Sequence, residues 1–294
     1  MAHYLIIGQG RIGKPLAKQL AITGVDQGDT VTTVARSHHQ YDEDHIRFLQ
    51  KDARSLTADD VAGVTHIAII VTPRSPTGAR ATAQDYQDSY LAVCEHLSQL
   101  ADSFDAWHQH LQQVLFVSST AVYGENDGEW IDERTPAVPS SPTAQVLRQA
   151  ETVLQTTFGD KAVIVRPSGI YHLDSTRLID QAADAHRVGV PSHHYTNRIM
   201  DSDLVTVLAQ IMLLPSPKPI YLATDSMPAT SLEVLSFIAK QMCYPPPKSI
   251  QTHPSGKRIC SNIDPAWLKF ADYRAGYLAV MAKYRTEHGM MTDG

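Results

Sequence analysis

The sequence predicts an α/β fold, a doubly wound parallel sheet with a smaller carboxyl-terminal substrate lobe. Three observations carry that expectation. Short apolar runs alternate with helix-period stretches through the first half of the chain. The first run ends in a glycine-rich turn, GQGRIG (8–13), that opens a helical stretch. After residue 167 the alternation loosens.

YLIIG (4–8) reads as a buried strand, apolar and closed by glycine. RIGKPLAKQLAITG (11–24) carries Ile12, Leu16, Leu20 and Ile22 at roughly helical spacing, with Gly24 placed to end the helix. VTTVAR (31–36) is β-branched and strand-like, and IRFLQKD (46–52) is a weaker third strand. THIAIIVTP (65–73) is the clearest buried strand, stopped by Pro73. Helices are expected through 79–101 and 104–112, followed by a fifth strand, VLFVSS (114–119). Residues 124–141, rich in Gly, Asn, Asp and Pro, read as a loop. Ser141 as N-cap and Pro142 at the first helical position begin the next helix. KAVIVRP (161–167) is a sixth strand. Beyond it, LVTVLAQIML (204–213) and SLEVLSFIAKQM (231–242) read as amphipathic helices and PIYLAT (219–224) as a strand.

Composition narrows the function classes. The 294 residues are 43% hydrophobic and 19% charged, which is ordinary for a globular chain. A net charge of −6 without a basic run argues against nucleic acid. No apolar run is long enough for a membrane helix. MAHYLIIGQG enters a strand at once, with no leader-like pattern. Cys94, Cys243 and Cys260 form no framework, so a cytoplasmic location is expected. His108 and His110 point apart on a helix, and His193-His194 lack an evident partner, so no metal site is expected.

GQGRIG matches G-x-G-x-x-G in its proper setting, between a strand and a helix. Gly8 permits the tight turn, Gly10 lets the backbone approach a pyrophosphate, and Gly13 lets helix and strand pack closely. With Arg11 and Ile12 these residues form the expected cofactor loop of a Rossmann-type domain over 1–167. Residues 168–294 form the expected smaller substrate-binding lobe, partly interleaved with the first. Strand two ends in Ala35-Arg36-Ser37 and has no carboxylate for a ribose hydroxyl. Arg36 suits a 2′-phosphate, so NADP is favoured and NAD is the second choice; the alternative is a solvated loop arginine. Asp52 either accepts from the adenine amino group or caps a turn. Thr72 and Pro73, at the carboxyl end of the fourth strand, are placed for the nicotinamide half.

The chain resembles the extended short-chain dehydrogenase/reductases, in particular their atypical NAD-dependent epimerase/dehydratase-like (YeeZ-like) branch. The resemblance runs through GQGRIG (8–13), KDA (51–53), VSSTAVYG (117–124), DERTPAVPSSP (132–142), LRQAE (147–151), VRPSGIY (165–171), NRIMDSDL (197–204), KRICSN (257–262) and FADYRAGY (270–277). It implies that Ser119 orients the reacting hydroxyl or carbonyl. It implies that Tyr123 forms the corner over the active site. Arg166, Pro167 and Tyr171 then lie beside nicotinamide and substrate, and Arg198 belongs to a segment linking the lobes. Pro167 joins the implied cofactor site; Tyr123, Tyr171 and Arg198 join the implied substrate site. Here His172-Leu173 replaces Gly-Pro of the family pattern, and Met200 replaces a histidine. The resemblance allows a homo-oligomer.

The family's Tyr-x-x-x-Lys dyad is missing. Thr143 and Leu147 stand at the matching positions, and neither can do a phenolate's proton transfer. Local candidates for a proton donor are Tyr123, Tyr171, His172, Glu125, Asp127, Glu129, Asp132 and Glu133. Lys257 and Arg258 either meet a substrate anion or form a solvated pair. The expected function is an NAD(P)-binding oxidoreductase or epimerase/dehydratase-like protein acting on a small polar metabolite, with nucleotide sugars among the candidates. The competing reading is a non-catalytic NADP(H) sensor or scaffold.

Overall fold

A computed structural model describes residues 1–73 and 80–289. Seven strands form the main sheet: β1 (His3–Ile7), β2 (Thr30–Ala35), β3 (Ile46–Gln50), β4 (His66–Ile69), β5 (Gln113–Val117), β6 (Ala162–Pro167) and β7 (Ile220–Ala223). Their order is β7-β6-β5-β4-β1-β2-β3, and the pairings from β3 across to β6 are parallel. Every residue of β4, β5 and β6 is buried, which is why these strands read as unbroken apolar runs. The chain winds outward from β1 to β3, then returns to β4 on the other side of β1. Sheets of this order bind ligands at the carboxyl ends of the strands flanking that reversal.

The helices follow the apolar spacing. Gly13–Gly24 buries Leu16, Ala17, Leu20 and Ala21. Pro142–Phe158 starts at Ser141, whose hydroxyl accepts from the Ala144 amide, and buries Val146, Leu147, Ala150 and Leu154. The helical stretch expected from 79 is described from Ala83, where Thr82 and Asp85 cap each other; its first residue lies outside the described residues. Between Ala83–Tyr86 and Ala92–Ser103 the backbone makes a π-helical segment, Gln87–Leu91.

The chain divides into two compact units. The first comprises residues 1–124, 136–166 and 205–221; the second comprises 125–135, 167–204 and 222–294. The second has its own core of Ile179, Val234, Ile238, Val280, Met281 and the paired rings of Tyr171 and Tyr277. The loop expected over 124–141 contains a strand, Asp127–Ile131, which pairs in parallel with Ser255–Ile259. Its partner lies over a hundred residues downstream, and DGEWI is short and interrupted by glycine, so local pattern gave no signal. The PIYLAT strand is β7, at the edge of the main sheet, where the Ile164 amide donates to the Pro219 carbonyl at 2.9 Å.

Candidate functional site

The glycine turn sits at the carboxyl end of β1. Gly8 has φ +100, and a Cβ there would overlap the Ile70 carbonyl. A Cβ on Gly13 would overlap the Gly8 carbonyl oxygen. Both residues are glycine because protein backbone lies against them. Gly10 differs, since a Cβ there would meet nothing within 4 Å. Among the described residues no protein atom requires Gly10, and the space it leaves open is where the backbone of such a turn meets a pyrophosphate. Gln9 pins the turn from inside, donating to the Ile6 carbonyl at 3.0 Å and accepting from the Tyr41 hydroxyl.

A groove of about 510 Å3 runs from Gly8 and Gly10 past Arg36 and Asp52 to Thr72. Arg11, Ile12, Gly13 and Pro73 do not line it, and Pro167 belongs to the second unit. Arg36 is exposed, and among the described residues its guanidinium has neither hydrogen bond nor ion pair. Asp52 caps the turn Ala53–Ser55. Its carboxylate accepts from the Arg54 amide at 2.9 Å and from the Arg54 guanidinium at 3.0 and 2.8 Å. That hydrogen bonding to Arg54 holds its pKa down at about 2. Of the two roles open to Asp52, the structure shows the cap. Lys51 and Arg54 also line the groove. The run KDAR carried that signal, but only its aspartate was read as a site residue.

Ser119 is half-buried at the carboxyl side of β5, where its hydroxyl accepts from the Ala121 amide at 3.1 Å. Tyr123 is 1% exposed, and its hydroxyl accepts from Arg166 Nη1 at 2.7 Å. Its hydroxyl is therefore engaged by the protein's own Arg166. Arg166 also places Nε and Nη2 on the two oxygens of Glu151, at 2.9 and 2.7 Å, and Ser118 donates to the same carboxylate at 2.6 Å. Glu151, which the sequence did not single out, is the hub of a buried network. All three bonding arms of Arg166 are thereby committed within the protein. Thr143 lies beside Ser141, while Leu147 is buried in the helix's core face. Arg148 is engaged by Glu151 and Gln155 and does not stand in for a lysine.

In the second unit Tyr171 is buried and stacks on Tyr277 with centroids 4.9 Å apart. Burial pushes the Tyr171 phenol up, so it stays protonated at neutral pH and is no base. A Cβ on Gly276 would overlap the Tyr171 hydroxyl, which accounts for the glycine in FADYRAGY. Asn197, between two short strands, is tied to the strand Ser255–Ile259 through the Lys257 carbonyl and the Ile259 amide. Asp203 accepts from the Lys269 and Phe270 amides. Arg258 lies between the rings of Trp130 and Tyr195, 5.0 and 4.7 Å from their centroids, and donates to the Gly128 carbonyl. It is a strut of this small sheet, neither of the two roles weighed for it. Burial lowers the pKa of the half-buried Lys257, with Glu125 and Glu129 opposing that shift. Among the other proton-donor candidates, Asp132 is held by Arg134 and Thr135, and His172 Nδ1 accepts from the Asp174 amide. No metal-binding group of His, Cys, Asp or Glu occurs among the described residues, and no helix there is long and apolar enough to cross a membrane.

A glycine turn at the reversal point of a doubly wound sheet, with open space at Gly10, defines a dinucleotide-binding α/β protein. Comparison with known proteins then gives the family. Residues 4–189 match the model of the NAD dependent epimerase/dehydratase family, and the chain belongs to it. A Methylobacillus flagellatus protein assigned as an NAD-dependent epimerase/dehydratase is 27% identical, with TM-score 0.72 over 97% of this chain and 99% of that one. An Agrobacterium tumefaciens short-chain dehydrogenase/reductase with bound NAD aligns at TM-score 0.70 and 17% identity, covering 98% of each chain. UDP-glucuronic acid 4-epimerase from Bacillus cereus, in complex with NAD, aligns at TM-score 0.67 and 15% identity over 96% of this chain and 99% of that one. The last two likenesses speak to the fold. No curated protein matches the chain at a significant level.

Proposed function

We propose that this protein binds NADP(H) in the groove of its first unit and acts as an oxidoreductase or epimerase/dehydratase-like enzyme on a small polar metabolite. The observation that carries the reading is Gly10, a glycine whose side-chain space is left open by the protein, at the amino-terminal approach to a helix. Gly8 and Gly10 would hold the pyrophosphate and Arg36 the 2′-phosphate, with Thr72 toward the nicotinamide half. NAD is the second choice, since the family description and the solved neighbours name it. Asp52 lines the same groove while capping its turn and pairing with Arg54.

The bound nicotinamide would supply the hydride chemistry. Ser119 is the residue we assign to hold the reacting oxygen of the substrate. Its hydroxyl accepts from the Ala121 amide, which leaves its own proton available to donate. Burial raises the pKa of Tyr171, so it does not serve as the base. Nucleotide sugars are the favoured substrate class, because a solved neighbour with this fold, MoeE5, was captured with UDP-glucose and NAD.

Fluorescence titration with NADPH and NADH tests the cofactor reading. Gly10→Val should abolish binding of both, because its side chain fills the open space. Arg36→Asp should weaken NADPH about 10-fold or more while changing NADH little. Unchanged affinity in Gly10→Val removes the groove as the site. Equal losses for both cofactors in Arg36→Asp remove the 2′-phosphate assignment.

A second reading, a non-catalytic NADP(H) sensor, is favoured by one observation. Leu147, at the position of the family's lysine, is 2% exposed and packed as core. NADPH consumption in the presence of a carbonyl substrate excludes it.

A further inference from the structure

Gly8, Gln9 and Gly10 line the groove where β1 ends. Two of the three are glycines, whose backbone has the widest choice of conformations. Gln9 therefore carries the one side chain that can hold this stretch in place. It is 6% exposed and donates to the Ile6 carbonyl at 3.0 Å. Its amide nitrogen also stands 3.8 Å from the place a Cβ on Gly13 would take, against the start of the helix. Among the described residues, its amide oxygen accepts from the Tyr41 hydroxyl alone.

Tyr41 lies between β2 and β3, on a segment that forms neither helix nor strand. The segment is nonetheless anchored. The rings of His38, His39 and Tyr41 all pack on Phe48 of β3, with centroids 5.7, 5.8 and 6.4 Å away. Glu43 pairs with Lys18 of the first helix at 2.8 Å. Lys14, beside Gly13 on that helix, holds its ammonium 5.5 Å from the centre of the Tyr41 ring. A fixed ring presents a fixed hydroxyl, and this one reaches the turn. Without it the Gln9 oxygen is left buried and unpaired, a state relieved when the backbone that carries it moves.

We infer that Tyr41 is a positioning residue for the cofactor: through Gln9 it fixes the turn whose backbone receives the diphosphate. The inference rests on the dinucleotide reading of the groove. It adds that diphosphate recognition depends on a hydroxyl 32 positions along the chain from the turn. A turn held in its bound shape loses little freedom when the ligand arrives.

Fluorescence titration of the full chain with NADPH and NADH tests it. Tyr41→Phe keeps the ring and removes the hydroxyl. It should weaken both cofactors by the same factor, about 3- to 10-fold, while the chain stays folded by circular dichroism. Equality is the diagnostic result, because both cofactors carry the diphosphate and NADPH alone carries a 2′-phosphate. Gln9→Met, which roughly keeps the volume, should give a similar loss. Tyr41→Phe added to Gln9→Met should cost nothing more, since both remove the same link. Unchanged affinity in Tyr41→Phe, or losses that multiply in the double variant, overturns the inference. So does a loss confined to NADPH, which would make Tyr41 a support for the Arg36 segment alone. If Tyr41→Phe fails to fold, Gln9→Met decides by the same criteria, and if the wild type takes up one cofactor alone, the double variant decides. A wild type that takes up neither cofactor removes the dinucleotide reading and this inference with it. A wild type that binds, beside an unaffected Tyr41→Phe, removes the inference and leaves the dinucleotide reading standing.

Discussion

Arg166 and Arg198 are the buried arginines among the described residues, and they are treated differently. Arg166 spreads its fork over both oxygens of Glu151 and gives its remaining arm to Tyr123. Arg198 donates to the Thr196 hydroxyl and lies against the rings of Tyr273 and Tyr277, and the Tyr277 hydroxyl also bonds it, while its Nη1 has no geometrically good partner. Both have lost their hydration. Only Arg166 recovers it within the protein, so its role is complete when the chain folds. Arg198 keeps one donor unsatisfied. The difference teaches that burial alone does not say how fully a charge is compensated; the count of satisfied donors does.

The largest expected effect breaks the satisfied member. Arg166→Met leaves the Glu151 carboxylate buried with Ser118 and the longer contact to Arg148. The expected cost is about 3–5 kcal/mol of stability in urea unfolding, as for other buried pairs that lose one partner. A loss below about 1 kcal/mol would show that the network is dispensable.

Next comes the acid beside Arg198. Burial raises Asp225 to about 7, against 3.8 as its ordinary value. The folded chain therefore holds a proton that the unfolded chain has released. Stability falls as pH rises from about 4 through about 7, and the contribution is gone above that. Between pH 5 and pH 8 this group alone should remove about 2.5 kcal/mol. Asp225→Asn should flatten that part of the pH profile. An identical slope in the variant would show that Asp225 keeps its charge and pairs with Arg198 after all.

Arg198→Met sharpens the comparison. It should change stability by less than about 1 kcal/mol, in either direction, because replacing an uncompensated buried charge removes a desolvation cost along with its contacts. A loss as large as that of Arg166→Met would place the two arginines in one class. Smallest of all on stability is Gly10→Val, expected within about 0.5 kcal/mol because no protein atom is displaced. The same variant should be among the most damaging to cofactor binding, and thermal unfolding measured with and without NADPH reads both effects.

Much of the first unit was legible in the sequence. β3, β4, β6 and β7 lie within the runs that announced them, β1, β2 and β5 begin one residue before theirs, and Ser141-Pro142 starts its helix as read. The glycine turn was legible too, because G-x-G-x-x-G between strand and helix is a local pattern with a local cause. The strand Asp127–Ile131 was not, since its partner is distant and its own residues have little strand character. Tyr123 and Arg166 were placed near substrate and nicotinamide only by resemblance, and their hydrogen bonds to buried neighbours were not legible. Arg198 and Tyr171 were marked as a substrate pair only by resemblance, and the unsatisfied Nη1 of Arg198 could not be seen from residue order.

The sequence by itself determined the doubly wound sheet and the turn at Gly8–Gly13. Each depends on periodicity or on spacing along a few residues, and both act through neighbouring backbone. Only the tertiary structure decided which charges are paired. Glu151 meets Arg166 through a helix and a strand that are adjacent in space, and burial raises the pKa of Asp225 to about 7. Hydrogen-bond satisfaction and desolvation depend on what surrounds a side chain from every direction, and residue order alone does not contain that information.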